Sequence, residues 1–228
     1  MTATPFTYGA GVQDAGSYVR APKQDRSRKS FDKAVDAAVS LFLERGSDAF
    51  TLADVASRAG VSTGSIYTRV DSKDDLLRAA HAREMARFAG QTREAFSAGV
   101  PADEPFAGAI ARVIGQLAGL LRDNAPLLAA FMRRAGQDPV IAENGKAAYA
   151  EVVGCFREAL LGRRGDVRHP DPDHAVAWSF TVAYSVLARW LGLDTEPTAA
   201  GEGDWDMILA DLIEMITTFL ANPGRGTP

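Results

Sequence analysis

The chain has 228 residues, 46% of them hydrophobic, which is enough to bury a core in one large or two small domains. Its formal net charge of −4 gives no general pull toward nucleic acid, and the single cysteine, Cys155, excludes an intrachain disulfide and a thiol-rich metal site. No run approaches the ~18 uninterrupted apolar residues of a membrane span, and the opening MTATPFTYGAGVQDAG lacks the basic-then-apolar order of a signal peptide, so the expected location is the cytoplasm.

Charge is uneven along the chain. Residues 1–80 carry a net +1 and the remainder −5, and the basic excess of the first part gathers in Arg20, Lys23, Arg26, Arg28, Lys29 and Lys33. Residues 1–25 read as a flexible arm, either solvated or able to reach phosphates beside a groove. A helix is expected from about Ser27 to Arg45, because Phe31, Ala34, Val35, Ala38, Leu41 and Phe42 recur at helical spacing and Gly46 can end it.

The segment TLADVASRAGVSTGSIYTRVDSKDDLL, residues 51–77, then spells two short helices joined by a tight turn. Thr51 can cap the first, whose apolar positions are Leu52, Val55, Ala56 and Ala59, and Gly60 sits where a helix closes in a left-handed residue. Ser62 can cap the second, Thr63 to Arg69, which offers small polar groups, a tyrosine and an arginine in place of a wide apolar face. This is the grammar of a helix-turn-helix suited to a DNA groove. Ser72 with Asp75 resembles a capping box opening the next helix, whose first turn the acidic pair Asp74 and Asp75 favours.

Helices follow to the end of the chain. They are expected from about Ser72 to Phe96, Asp103 to Arg122, a short piece from Pro126 to Arg134, Val140 to Leu161, Ala175 to Leu191 and Trp205 to Leu220. No stretch alternates like a strand with hairpin turns, so the fold class is all-α. His81 reads as solvated on a charged helix face. In RHPDPDH, the reading as a loop in which Asp171 caps a helix begun by Pro172 outweighs a metal site built on His169 and His174. There is no Gly-rich phosphate loop, nucleophile elbow or HExxH, so no catalytic residue, cofactor or metal is assigned.

From the helix ending at Gly46 through Thr51, the turn Ala59-Gly60-Val61-Ser62, Gly64, Tyr67, Lys73 and Leu76-Leu77, the order and spacing resemble the DNA-binding domain of TetR-family (tetracycline-repressor-like) transcriptional regulators. Three positions depart from that pattern: Arg69 stands where His is frequent, Val70 where Phe is usual, and Asp71 where Pro or another loop residue is usual. The division that follows is residues 26–77 as helix-turn-helix domain, 78–222 as a helical effector-binding and dimerisation domain, and 223–228 as a tail. Thr63, Gly64, Ser65, Thr68 and Arg69 would face the major groove, with Arg69 reading guanine. Thr51, Ser62, Tyr67 and Lys73 would hold phosphates.

The resemblance further implies a homodimer on a palindromic operator and a repressor released by a small hydrophobic or aromatic ligand. Trp178, Val182, Trp190, Leu209, Leu212, Ile216 and Phe219 on the last two helices form the apolar faces expected at the dimer interface. Phe88, Phe106, Ile110, Phe131, Tyr149, Trp178 and Tyr184 supply the apolar and hydroxyl mixture expected of a pocket. The different-class alternative is an all-α ligand-binding protein or enzyme that keeps a helix-turn-helix for structural reasons.

Overall fold

A computed structural model describes residues 19–20, 25–101, 103–193 and 200–223, so most of the expected basic arm and of the tail at 223–228 lies outside the described residues. Within these residues there are helices and no strand: α1 (Asp25–Arg45), α2 (Leu52–Ala59), α3 (Thr63–Tyr67), α4 (Lys73–Ser97), α5 (Phe106–Ala135), α6 (Pro139–Leu161), α7 (Pro172–Trp190) and α8 (Trp205–Ala221). A 3-10 turn at Arg164–Asp166 precedes α7.

Side-chain caps fix most of the helix starts. The Asp138 carboxylate accepts the N–H groups of Val140 and Ile141 at 3.0 and 3.4 Å, which opens α6. Asp171 accepts from His174 N at 3.0 Å with Pro172 at the first helical position, and Asp204 accepts from Met207 N at 2.9 Å. α5 departs from expectation. It runs unbroken through Pro126, where a break and restart was expected. The missing N–H costs about 3 kcal/mol, but Leu117, Leu121, Leu127, Ala130 and Phe131 are buried on both sides of the proline, and that burial carries the helix through.

The chain divides into two compact units, Met1–Arg87 with Ala130–Ala148, and Phe88–Ala129 with Tyr149–Pro228. The first unit therefore reaches past residue 77, where the sequence placed a boundary. Its core joins Ala34, Val35, Leu41 and Phe42 of α1 to Val55, Ile66, Leu76, Leu77 and Ala80. Phe131 completes it, with ring centroids 5.1 Å from Phe42 and 4.7 Å from His81. Phe131 thus belongs to the core around the helix-turn-helix, and His81, expected to be solvated, is only 1% exposed.

The second unit packs Ile110, Val113, Ile114, Leu117 and Leu121 of α5 with Phe156 of α6, Phe180 and Leu187 of α7, and Leu212, Ile216 and Leu220 of α8. The Leu220 carbonyl accepts from the N–H groups of Arg168 and His169, which ties the end of α8 to the loop before α7.

Candidate nucleic-acid interface

α2 is held at both ends by local hydrogen bonds. Thr51 Oγ1 accepts from Asp54 N at 3.1 Å while the Asp54 carboxylate accepts from Thr51 N at 2.9 Å, a reciprocal capping box. These bonds to Thr51 hold the Asp54 carboxyl below its ordinary value. At the other end Gly60 adopts φ 64°, ψ 37°, and the N–H groups of Gly60 and Val61 return to the carbonyls of Ser57 and Ala56. A side chain there would meet no atom within 4 Å, so the left-handed backbone is what calls for glycine.

α1 supports α2 through Glu44, whose two carboxylate oxygens accept from Arg58 at 2.7 and 2.8 Å. Those bonds, with one from Ser40, pull the Glu44 carboxyl down to about 2. The pair is exposed and fixes orientation more than it adds stability.

The second helix starts at Ser62, whose Oγ accepts from Ser65 N at 3.2 Å. Ser65 Oγ donates to Ser62 O at 2.6 Å and Thr68 Oγ1 to Ser65 O at 2.7 Å, so these hydroxyls are held against their own helix. Gly64, Tyr67 and Thr68 are exposed, and Thr63 and Ser65 are half-buried. Ile66 is buried and anchors the opposite side. A Cβ on Gly64 would meet nothing within 4 Å, and its backbone is helical, so neither conformation nor internal packing calls for glycine there.

Arg69 is not where the sequence placed it. α3 ends at Tyr67 with Thr68 as its cap, two residues short of the expected end at Arg69. The Arg69 side chain turns back to lay its guanidinium 4.7 Å from the Phe31 ring centroid on α1. The residue is 7% exposed, and its Nε and Nη1 have no hydrogen-bond partner. Burial pulls its pKa below the ordinary arginine value. A planar cation on an aromatic face is a favourable arrangement that spacing along α3 could not reveal, and in this conformation Arg69 Nε and Nη1 are buried away from a base edge.

Two further cations flank α3. Arg20 makes an ion pair with Asp71 and donates from Nη1 to the Tyr67 carbonyl at 3.3 Å, while its own N–H reaches the Arg69 carbonyl at 2.9 Å. Arg20 therefore clasps the C-terminal end of α3, a contact across 47 residues of sequence with no local signal. Lys73, at the start of α4, lies 5.6 Å from the Phe50 ring centroid and donates from Nζ to the Asp48 carbonyl at 2.5 Å.

Residues 34–80 match the family model described as bacterial regulatory proteins, tetR family. The chain carries the DNA-binding domain of the TetR family. It is 28% identical over 170 residues to the HTH-type transcriptional repressor KstR of Mycolicibacterium smegmatis, across 73% of this chain and 79% of that protein. Its fold is similar to that of a TetR-family transcriptional regulator from Mesorhizobium loti, with a TM-score of 0.69 at 16% identity over 87% of this chain and 98% of the other. It is also similar to the transcriptional regulator FadR of Bacillus subtilis, solved in complex with stearoyl-CoA, with a TM-score of 0.58 at 18% identity over 83% and 98% of the two chains. The TetR domain makes this chain a DNA-binding transcriptional regulator, and α2 and α3 are its helix-turn-helix.

The other expected sites divide unevenly. Of the residues expected to line a pocket, Phe88 and Ile110 are buried, Phe106 and Tyr184 half-buried, and Tyr149 and Trp178 exposed by 40% and 52%. Tyr149, Phe180 and Tyr184 form an aromatic group with centroids 5.0 to 5.7 Å apart, whereas Phe131 lies in the other unit. Of the residues expected between subunits, Leu212 and Ile216 are already 3% and 2% exposed within a single chain, so they are core. Val182, Trp190, Leu209 and Phe219 are half-buried, and Met207 and Met215, outside the expected set, are 66% and 48% exposed on α8. Among the described residues no group of three or more His, Cys, Asp or Glu side chains is placed to hold a metal, and no helix is long and apolar enough to cross a membrane.

Proposed function

We propose that the protein is a transcriptional repressor that binds a two-fold DNA site as a homodimer and leaves it when a hydrophobic, acyl-type or aromatic ligand binds the helical domain. The observation that carries the DNA reading is the match of residues 34–80 to the tetR family model, and Gly64 on α3 fits it. Glycine costs a helix interior about 1 kcal/mol relative to alanine. The fold takes nothing in return at this position, since no neighbour lies within 4 Å of where a side chain would sit. The bare backbone beside exposed Tyr67 and Thr68 is what lets another molecule's backbone come close.

Thr63, Gly64, Ser65 and Thr68 are the groove-facing group, and Thr51, Ser62, Tyr67 and Lys73 the phosphate-facing group. The repressor reading is supported by the similarity to KstR, and the acyl class of ligand by the stearoyl-CoA complex of FadR. The dimer reading is supported by the apolar side chains left exposed on α7 and α8. Two α3 helices related by a two-fold axis would then meet successive turns of one groove.

Two measurements test this. DNA fragments selected by the purified protein should share an inverted repeat, and a set with no common repeat would overturn the reading. Gly64→Ala should raise the melting temperature slightly or leave it unchanged while weakening binding to the selected site at least tenfold, the loss of roughly one good contact. Unchanged affinity would remove Gly64 from the interface.

A further inference from the structure

Asp48 Oδ2, in the turn between α1 and α2, lies between two cations. Lys73 Nζ is 3.4 Å away and Arg134 Nη1, in the last turn of α5, is 3.7 Å away. All three belong to the first unit. Lys73 is already bound to the same residue through the Asp48 carbonyl. Arg134 is otherwise committed: its Nη2 reaches Asp74 at 2.9 Å and lies 3.9 Å from Asp138, its Nη1 meets Gln137 at 3.2 Å, and its Nε is buried with no partner. Asp138, whose side chain is 1% exposed, is in turn fixed by Arg78 Nε at 2.9 Å and by capping α6.

Both cations lie within ion-pair distance of Asp48 Oδ2, so the carboxylate is shared and its pull on Lys73 depends on how much of it Arg134 neutralises. We propose that Arg134 is a positioning residue for DNA binding: by holding the Asp48 carboxylate it limits how strongly Asp48 retains Lys73, and so sets how far the Lys73 ammonium is available to a DNA phosphate. Arg134 sits where α5 ends and Asp138 where α6 begins, so a displacement of either helix end changes the charge that Lys73 feels. This rests on the reading of Lys73 as a phosphate contact, and the test keeps the two apart.

Binding of the full-length protein to a mixed-sequence DNA duplex is titrated over a range of salt for Lys73→Ala, Asp48→Asn, Arg134→Gln, Arg134→Lys and the double variants Asp48→Asn/Arg134→Gln and Asp48→Asn/Lys73→Ala. Lys73→Ala should flatten the salt dependence by about one unit, the release of roughly one counterion. An unchanged slope would overturn the phosphate reading and the inference with it. Given that flattening, Arg134→Gln should weaken binding and Asp48→Asn tighten it, each about fivefold, the scale of a partly exposed ion pair. Arg134→Lys should stay near wild type. In the Asp48→Asn background Arg134→Gln should have no further effect. Effects that simply multiply would show long-range charge alone and would overturn the inference, as would an effect of Asp48→Asn that persists in Lys73→Ala. Asp48→Asn leaves every other Arg134 partner in place, so the comparison does not hang on Arg134→Gln remaining fully stable.

Discussion

Lowering the pH from neutral to about 4 should destabilise the first unit by about 3 kcal/mol through one side chain, His81. Burial against Phe131 lowers its pKa from 6.5 to about 4, partly countered by the Asp138 charge. The unfolded chain therefore takes up a proton as pH falls through 6.5, while the folded chain resists until about 4. Stability conferred by neutral His81 is fully present above the unfolded pKa, drains away between those two values, and is gone below the lower one. His81 Nδ1 has no hydrogen-bond partner, so an apolar replacement loses no bond at that atom. His81→Leu should accordingly be stable at pH 7 and lose much less melting temperature than wild type between pH 6.5 and 4.5. Parallel melting curves for the two proteins across that interval would show that His81 titrates in water and that its burial is wrong.

What could be read from the sequence was local, and what could not was decided at long range. Thr51, Ser62 and Asp171 lie at helix starts because caps act on N–H groups two or three residues away, and that information stays within one short window. Asp54, three residues on, closes the reciprocal box with Thr51 within the same window. Pro126 misled because its cost is local while the burial that offsets it comes from residues elsewhere in the chain. Arg69, His81, Leu212 and Ile216 were misplaced for the same reason: a helical pattern says that a face is apolar or polar, not which element will cover it. Arg69 on Phe31, His81 on Phe131 and Arg20 on the Tyr67 carbonyl pair residues 38, 50 and 47 positions apart, with no periodicity linking them. For the DNA interface this leaves the small residues of α3 and Lys73 legible, and the long-range contacts of Arg20 and Arg69 not.

The dimer face is separable from the core by comparing two substitutions on one helix. Leu212 and Met215 are three residues apart on α8, yet one is 3% exposed and the other 48% within a single chain. Leu212→Glu buries an unpaired carboxylate between α7 and α8 and should cost several kcal/mol, enough to unfold much of the protein. It therefore says nothing about assembly. Met215→Glu adds a charge beside Glu214 on an already solvated face, and should leave the unfolding free energy of a single chain within about 0.5 kcal/mol of wild type. If α8 meets its counterpart across a two-fold axis, the same change places a charge in a desolvated interface, and Trp178→Glu on α7 acts alike. Both variants should then sediment as folded monomers. Their affinity for a full inverted repeat should drop by about 100-fold or more, because each recognition helix loses the effective concentration supplied by its tethered twin. Binding to an isolated half-site should barely change. A dimeric Met215→Glu with full operator affinity would place the interface on some other surface, whereas a wild-type protein that sediments as a monomer would remove the two-fold arrangement altogether.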